Sequence, residues 1–260
     1  MKVFRLGWKE AVFPVAVAFC LLVLGLPNRA QQPAPGSAAK PALKNYQTMN
    51  LTTLTNLATN GDPVAQNELG MAYGAGRRGV RKANVEEAFK WFRLAAEQGY
   101  ATAQYNLGSL YYYGTGVPKD TQEALKWYRK AADQGFIQAQ YFLGWLFSRG
   151  VEENFKESVL WFGKAAEQGD PEAQLSLGLM LLRGEDLNPD YVEAYKWINL
   201  SAAQGNTNAV KHRARMSVSM TQEQVAEGQR RAVQFSPKKS EINASTNQPA
   251  AAPLSRATEN

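Results

Sequence analysis

Apolar residues recur with the period of an α-helix through most of the chain, in short segments that are followed by glycine. In one copy, Ala103, Leu107 and Leu110 are spaced i, i+4 and i+7, so they share one helical face. After a glycine-containing loop, Ala124 and Trp127 begin a second apolar face. No stretch shows a convincing two-residue alternation of a β-strand, so the pattern predicts pairs of helices.

The helix pair is repeated four times along the chain. The phrase Trp-x-x-x-Ala-Ala-x-x-Gly, or a close variant, recurs with its tryptophans 36, 34 and 36 residues apart. These tryptophans are Trp91, Trp127, Trp161 and Trp197. We interpret the tryptophan as a core residue, the small pair as a point of close helix packing, and the glycine as a left-handed helix stop. No residue of the phrase is expected to perform chemistry.

Each first helix carries a glycine in its interior, at the end of the phrase Ala-Gln-x-x-Leu-Gly. The four glycines are Gly70, Gly108, Gly144 and Gly178. Glycine inside a helix is less favourable than alanine by about 1 kcal/mol, so its repetition predicts a neighbouring helix too close for a side chain. Each second helix has a start signal with capping-box spacing, as at Asp120 and Glu123.

The most regular copy, residues 103–135, reads AQYNLGSLYYYGTGVPKDTQEALKWYRKAADQG. Its pattern of A-Q-x-x-L-G-x-x-Y, G-x-G-V-x-x-D and A-x-x-W-x-x-x-A-A-x-x-G resembles the Sel-1-like repeat, and the resemblance extends over residues 62–205. It implies an all-α protein, a right-handed α/α solenoid of about four tetratricopeptide-like helix pairs. We expect helical caps at both ends, formed by residues 47–61 and by residues 206–235.

The two ends of the chain differ from the repeats. Residues 1–30 combine a basic start, an apolar run at residues 11–26 and a candidate cleavage position at Ala30, which is the pattern of an export signal. The run is shorter than the roughly 20 residues of a spanning helix, so we predict a cleaved signal and an exported protein, periplasmic or secreted. The alternative is an uncleaved anchor, which would be the only membrane contact. Residues 31–46 are predicted to be a flexible linker, and residues 236–260 a disordered tail.

Charge and composition argue against several classes of protein. The net charge is +6, but residues 31–205 hold 17 Lys and Arg against 18 Asp and Glu, without the basic stripe of a nucleic-acid-binding protein. The single cysteine, Cys20, lies in the predicted signal, and His212 is the only histidine, so we expect no metal site and no cofactor. Two Ser-x-x-Lys sequences, at Ser37 and Ser236, lie in predicted disorder. We therefore expect no catalytic residues and no enzyme activity.

A row on the other face of each first helix is the candidate binding site. In the second and third repeats it carries aromatic residues, and Tyr and Trp are frequent binding anchors because they offer a large contact area with few rotatable bonds. The predicted groove residues are Asn67, Met71, Tyr105, Ser109, Tyr112, Tyr141, Trp145, Ser148 and Leu179. The alternative is that the row fills gaps between neighbouring helices.

These features predict a monomeric scaffold or adaptor that binds a protein or peptide segment along the concave groove of the solenoid. The identity of the partner does not follow from the sequence. Two rival functions stay open: an envelope protein that binds cell-wall glycan through stacked aromatic residues, and a hydrolase of cell-wall or β-lactam-like substrates. The hydrolase is suggested by the resemblance, because some cysteine-rich Sel-1-like proteins have been linked to β-lactam binding or hydrolysis.

Overall fold

The regular elements of the protein are helices throughout the residues that the structure describes. The structure is a computed structural model, and it describes residues 45–149, 154–184 and 189–238. After a 3-10 turn at Tyr46–Thr48, the α-helices are Leu51–Thr59 (α1), Pro63–Ala75 (α2), Val85–Glu97 (α3), Ala101–Tyr113 (α4), Thr121–Asp133 (α5), Ile137–Ser148 (α6), Phe155–Glu167 (α7), Pro171–Arg183 (α8), Tyr191–Ala203 (α9), Thr207–Ser219 (α10) and Gln222–Val233 (α11). The predicted signal, nearly all of the predicted linker and most of the predicted tail lie outside the described residues.

Helices pack on their neighbours in sequence, which makes the array a solenoid. The pairs α2–α3, α4–α5, α6–α7 and α8–α9 form four repeats, and a smaller contact joins each pair to the next. At the N-terminal end α1 packs on α2, and at the other end α10 and α11 both pack on α9. The predicted all-α solenoid of about four helix pairs is therefore confirmed.

The interior glycines lie where the two helices of a repeat touch. A Cβ atom at Gly144 would lie 2.7 Å from Cδ1 of Phe162, and one at Gly178 would lie 2.6 Å from Cγ1 of Ile198. Contacts this short do not occur between real side chains, so the predicted close approach is confirmed. The side chain that meets the glycine belongs to the residue after each repeated tryptophan, and in every repeat that residue is almost completely buried.

The repeated tryptophans lie at the margin of this core. Trp127, Trp161 and Trp197 are buried, with 5 to 9% of their surface exposed, whereas Trp91 is half-buried. A lysine ammonium group lies 3.9 to 4.2 Å from the centroid of each of the three buried rings. The interpretation as core residues is thus confirmed for three tryptophans. The deeper core residue is nevertheless the next one in the chain, because that side chain faces the glycine.

Helix starts and stops use the predicted signals, with one difference. The Asp120 carboxylate accepts a hydrogen bond from the backbone N–H of Glu123 (2.9 Å), and the other second helices begin in the same way. In a full capping box the Glu123 carboxylate would accept a hydrogen bond from the backbone N–H of Asp120. Here it accepts one from the ammonium group of Lys126 instead (3.0 Å). Within the described ranges, the full capping box is present at Thr221 and Gln224. The four predicted left-handed stops are confirmed, with φ of 86 to 94°.

A pair of glutamines joins each repeat to the helix before it. Gln104 Nε2 donates to the carbonyl of Ala96 in the last turn of α3 (3.2 Å), and its Oε1 accepts from Nε2 of Gln134 just after α5 (2.7 Å). The same two bonds recur in all four repeats. The last carbonyl groups of a helix lack partners within that helix, so the buried glutamine satisfies one of them. This accounts for two glutamines of the repeated phrases that the sequence left unexplained.

Candidate protein-binding surface

Aromatic side chains on the first helices of the second and third repeats form a partly exposed surface. Tyr112 and Tyr113 come from the end of α4, and Phe142 and Trp145 come from α6. The ring centroids of Tyr112 and Phe142 lie 5.4 Å apart, and those of Phe142 and Trp145 lie 5.5 Å apart. Tyr113 is 41% exposed and meets Tyr112 edge to face at 5.0 Å. We call these four residues the aromatic patch.

Two exposed basic side chains border the aromatic patch. The Lys119 ammonium group lies 5.6 Å from the centroid of the Tyr112 ring, and the Arg149 guanidinium group lies 5.3 Å from the centroid of the Trp145 ring. Both distances are in the range of cation–π interactions. Aromatic area with cations at its edge suits a ligand that offers apolar side chains next to acidic groups.

Four of the predicted groove residues are buried, namely Asn67, Tyr105, Ser109 and Ser148. Asn67 accepts a hydrogen bond from Nδ2 of Asn106 (2.9 Å), and Ser109 accepts one from the hydroxyl of Tyr128 (3.1 Å). Ser148 donates to a carbonyl of its own helix and is also buried. Asn67 thus contacts the first helix of the next repeat, whereas Ser109 contacts the second helix of its own repeat.

Tyr105 is the predicted anchor whose position differs most from expectation. It is only 7% exposed, and its ring lies 5.5 Å from both Tyr128 and Phe136. Burial raises the pKa of the Tyr105 hydroxyl. The reason is geometric: the ring lies between Tyr128 on the second helix of its own repeat and Phe136 just before α6, and these neighbours leave it no path to the surface. Tyr105 therefore supports the aromatic patch from below, 6.4 Å from Phe142.

The other five predicted groove residues are half-buried. These residues are Met71, Tyr112, Tyr141, Trp145 and Leu179. Only Tyr112 and Trp145 belong to the aromatic patch, where their centroids lie 6.3 Å apart. Met71 packs in the core of the first two repeats, and Leu179 packs with residues of the fourth repeat and α10. The structure thus gathers two of the nine residues into one surface and distributes the rest.

Phe142 and Tyr113 are members of the patch that the sequence analysis did not select. Phe142 lies one position beyond the selected row, so the i, i+4, i+7 rule passed over it. A signal did exist in the alignment of the repeats. The corresponding positions are polar in the other copies, namely Glu68, Asn106 and Ser176. A phenylalanine at a position that is otherwise polar is the kind of difference that marks a specialised repeat.

A polar cluster adjoins the patch at the third and fourth repeats. Burial raises the pKa of the Tyr141 hydroxyl to about 12, and the nearby carboxylates of Glu172 and Asp170 add to the shift. Burial also raises the pKa of the Glu172 carboxyl, and Asp170 adds to that shift too. Nδ2 of Asn206 donates a hydrogen bond to Glu172 (2.9 Å). The surface therefore passes from cations at the aromatic patch to carboxylates at the fourth repeat.

Residues 45–149, 154–184 and 189–238 contain no group of three His, Cys, Asp or Glu side chains that could hold a metal ion. His212 is half-buried on α10, and burial together with the neighbouring Arg215 lowers its pKa. Over the same residues, no helix combines the length and apolar character that crossing a membrane requires.

Among the solved structures that resemble this solenoid, two share about a third of its sequence. The first is c5321, a protective antigen of uropathogenic Escherichia coli strains with an SLR fold; it shares 32% sequence identity over 73% of this chain, with a TM-score of 0.64. The match spans 41% of the length of c5321. The second is a Sel1 repeat protein from Oxalobacter formigenes, with 34% identity, a TM-score of 0.61 and coverage of 75% of this chain and 82% of that one. A search of curated proteins found no match.

The sequence also matches the Sel1 repeat four times in succession. The matched segments are residues 63–100, 101–136, 137–170 and 171–206. Each segment contains one helix pair of the solenoid, from α2–α3 to α8–α9, together with its interior glycine and its glutamine pair. The matches thus cover the array from the first repeat to the last, and they identify the chain as a member of the Sel1 repeat family.

Proposed function

We propose that this protein is an exported, non-catalytic adaptor that binds a protein or peptide partner through the aromatic patch. The observation that carries the proposal is the cluster of rings formed by Tyr112, Phe142 and Trp145, with Tyr113 41% exposed at its edge. Sel1 repeat proteins generally mediate protein–protein interactions and are typically non-catalytic scaffolds. Interfaces obtain most of their affinity from a few aromatic and arginine side chains, which is the composition of this surface.

The chemistry of the patch suggests the kind of segment it accepts. The rings of Tyr112 and Trp145 are covered on one side by other aromatic residues, so a partner side chain would complete their burial. Lys119 and Arg149 stand at the border, where an acidic side chain of the partner would form ion pairs. A helix or extended segment with an apolar residue flanked by Asp or Glu fits this arrangement.

Export is part of the proposal because of the N-terminal sequence. Residues 1–30 have a basic start, an apolar run and a candidate cleavage position, in the order found in signal peptides. The similar protein c5321 is described as a protective antigen. We place the adaptor in the periplasm or outside the cell, as a monomer released by signal cleavage. The alternative is retention at the membrane through residues 11–26. N-terminal sequencing of the exported protein distinguishes the two, since cleavage after Ala30 would leave Gln31 first.

The binding proposal is tested with a double variant, Tyr113→Ala with Arg149→Glu. Both positions are exposed, so the array should keep its helical circular dichroism and its melting temperature. Partner capture from an envelope extract should fall about tenfold or more, because an aromatic anchor and a cation are lost together. The matched control is Leu94→Ala on α3, another large exposed side chain, which should leave capture unchanged. Equal capture by all three proteins, or retention of the chain by isolated cell-wall glycan alone, would contradict the proposal.

A further inference from the structure

A short segment after α11 lies across the second helices of the last two repeats. Phe235 meets Trp197 of α9 edge to face, with ring centroids 5.3 Å apart. The backbone N–H of Lys238 donates to the carbonyl of Glu167 at the end of α7 (2.8 Å), and its ammonium group binds the Glu167 carboxylate (2.7 Å). Between them, Pro237 lies against Gly169. We call residues 235–238, Phe-Ser-Pro-Lys, the clasp.

The clasp is seated in the way that a protein holds a peptide ligand. One aromatic ring is half-buried, one backbone hydrogen bond sets the position of the chain, and one charged side chain meets an opposite charge. A Cβ at position 169 would lie at ordinary van der Waals distance from Pro237 (3.4 Å), so the glycine there is required by its φ of 94° and not by the clasp. A cavity of about 390 Å³ remains beside the clasp, between Lys196 and Arg231, so the site has room for a longer or larger segment.

The repeats differ in the side chains that cover their tryptophan rings. In the second and third repeats, the lysine three residues after the tryptophan lies over the ring: Lys130 over Trp127 at 4.0 Å and Lys164 over Trp161 at 3.9 Å. The fourth repeat has Leu200 at that position, as the first repeat has Leu94. In the fourth repeat Lys196, one residue before Trp197, lies over the ring at 4.2 Å. Trp197 is therefore covered both by Lys196 of its own helix and by Phe235 of the clasp.

The contacts of the clasp are too few to hold it permanently. Ser236, Pro237 and Lys238 are exposed, and the ion pair to Glu167 lies in solvent, where such pairs are weak. The clasp stays in place mainly because it is tethered directly to α11, which gives it an effective concentration of roughly millimolar or more. A segment of another protein with the same chemistry and additional contacts can compete with it.

We propose that Trp197, Gly169 and Glu167 form a peptide-docking site that the clasp closes in cis. Its ligand is a segment of a partner protein with an aromatic residue, proline two positions later and lysine after it. The site is carried by the second helices of the repeats and is distinct from the aromatic patch, which is carried by the first helices. A partner segment that enters the site displaces the clasp and frees the end of α11.

The test uses the full chain and a fluorescein-labelled peptide of residues 233–240, VQFSPKKS. With Phe235→Ala, which removes the ring that occupies the site, the chain should bind the peptide saturably in fluorescence anisotropy. The wild-type chain should bind at least about tenfold more weakly, because its own clasp competes at high effective concentration. Val233→Ala is the matched control, since Val233 is 86% exposed, and it should behave like the wild-type chain.

Two further measurements give the assay its specificity. A peptide with alanine in place of phenylalanine should not bind the Phe235→Ala chain, and Glu167→Lys in that chain should weaken binding of the original peptide. Tyr113→Ala should have no effect, so the result is independent of the aromatic patch. The inference is overturned if a folded Phe235→Ala chain fails to bind the peptide, or if it binds no better than the wild-type chain. The clasp would then serve only to hold α11 in place.

Discussion

The close contact at Gly144 makes a quantitative prediction for the substitution Gly144→Ala. A Cβ there would lie 2.7 to 2.9 Å from three ring atoms of Phe162. That ring is almost fully buried, so it cannot swing away, and the two helices of the third repeat must separate slightly. Overpacking of this kind costs about 1–3 kcal/mol, whereas alanine in a helix gains about 1 kcal/mol over glycine. Because three ring atoms would lie under 3.0 Å, the overpacking cost should fall in the upper part of that range, about 2–3 kcal/mol, so we expect a net destabilisation of about 1–2 kcal/mol.

The same repeat contains the matched control. Gly163 lies inside α7, and a Cβ at that position would have no heavy atom within 4 Å. Gly163→Ala should therefore stabilise the protein by about 0.5–1 kcal/mol through helix propensity alone. Urea unfolding followed by circular dichroism measures both variants. The reasoning about close approach fails if Gly144→Ala is as stable as the wild-type chain, or if the two substitutions shift stability in the same direction.

Three other predictions follow from buried polar groups. Gln140→Ala should destabilise the array by about 1–3 kcal/mol in urea unfolding, because Gln140 bonds both the Ala132 carbonyl and Gln168. Arg78→Ala should destabilise the array by about 3–5 kcal/mol, because it leaves the Glu68 carboxylate buried without its cation. The control is Arg77→Ala, at an exposed position, which should change stability by less than about 0.5 kcal/mol. The raised pKa of Tyr141 stabilises the folded state below pH 10, and this contribution is lost as the pH rises from about 10 to about 12. Stability of Tyr141→Phe should accordingly fall less over that pH range than stability of the wild-type chain.

The aromatic patch and the clasp site, which we propose as binding surfaces, are carried by different helices. The aromatic patch lies on first helices of the second and third repeats, and the clasp site lies on second helices of the third and fourth repeats. A solenoid separates such surfaces because each repeat contacts only its neighbours, so one repeat can change without altering the others. An adaptor with one site open and one closed by its own chain could hold two partners and engage the second conditionally.

The differences between sequence expectation and structure share one cause. The helical period assigns a residue to a face, but it does not say how near the next helix lies on that face. Tyr105 and Trp145 occupy the same face of equivalent helices. Tyr105 is enclosed by Tyr128 and Phe136, whereas Trp145 keeps part of its ring in solvent beside Arg149. Only the tertiary packing around each ring, within its own repeat and against the next one, distinguishes the two.

Local interactions between residues close in the sequence determined the helices of each repeat and where they begin and end. The period of the apolar residues, the cap at Asp120 and the left-handed glycine at 135 each depend on a few neighbouring residues, so they could be predicted without coordinates. The glycine at 144 could be predicted because it recurs in all four copies despite its cost in a helix. The tertiary structure decided what the repeats present to a partner. Whether Phe142 is exposed, and whether Phe235 reaches Trp197, depends on residues that are distant along the chain and meet only when the solenoid is assembled.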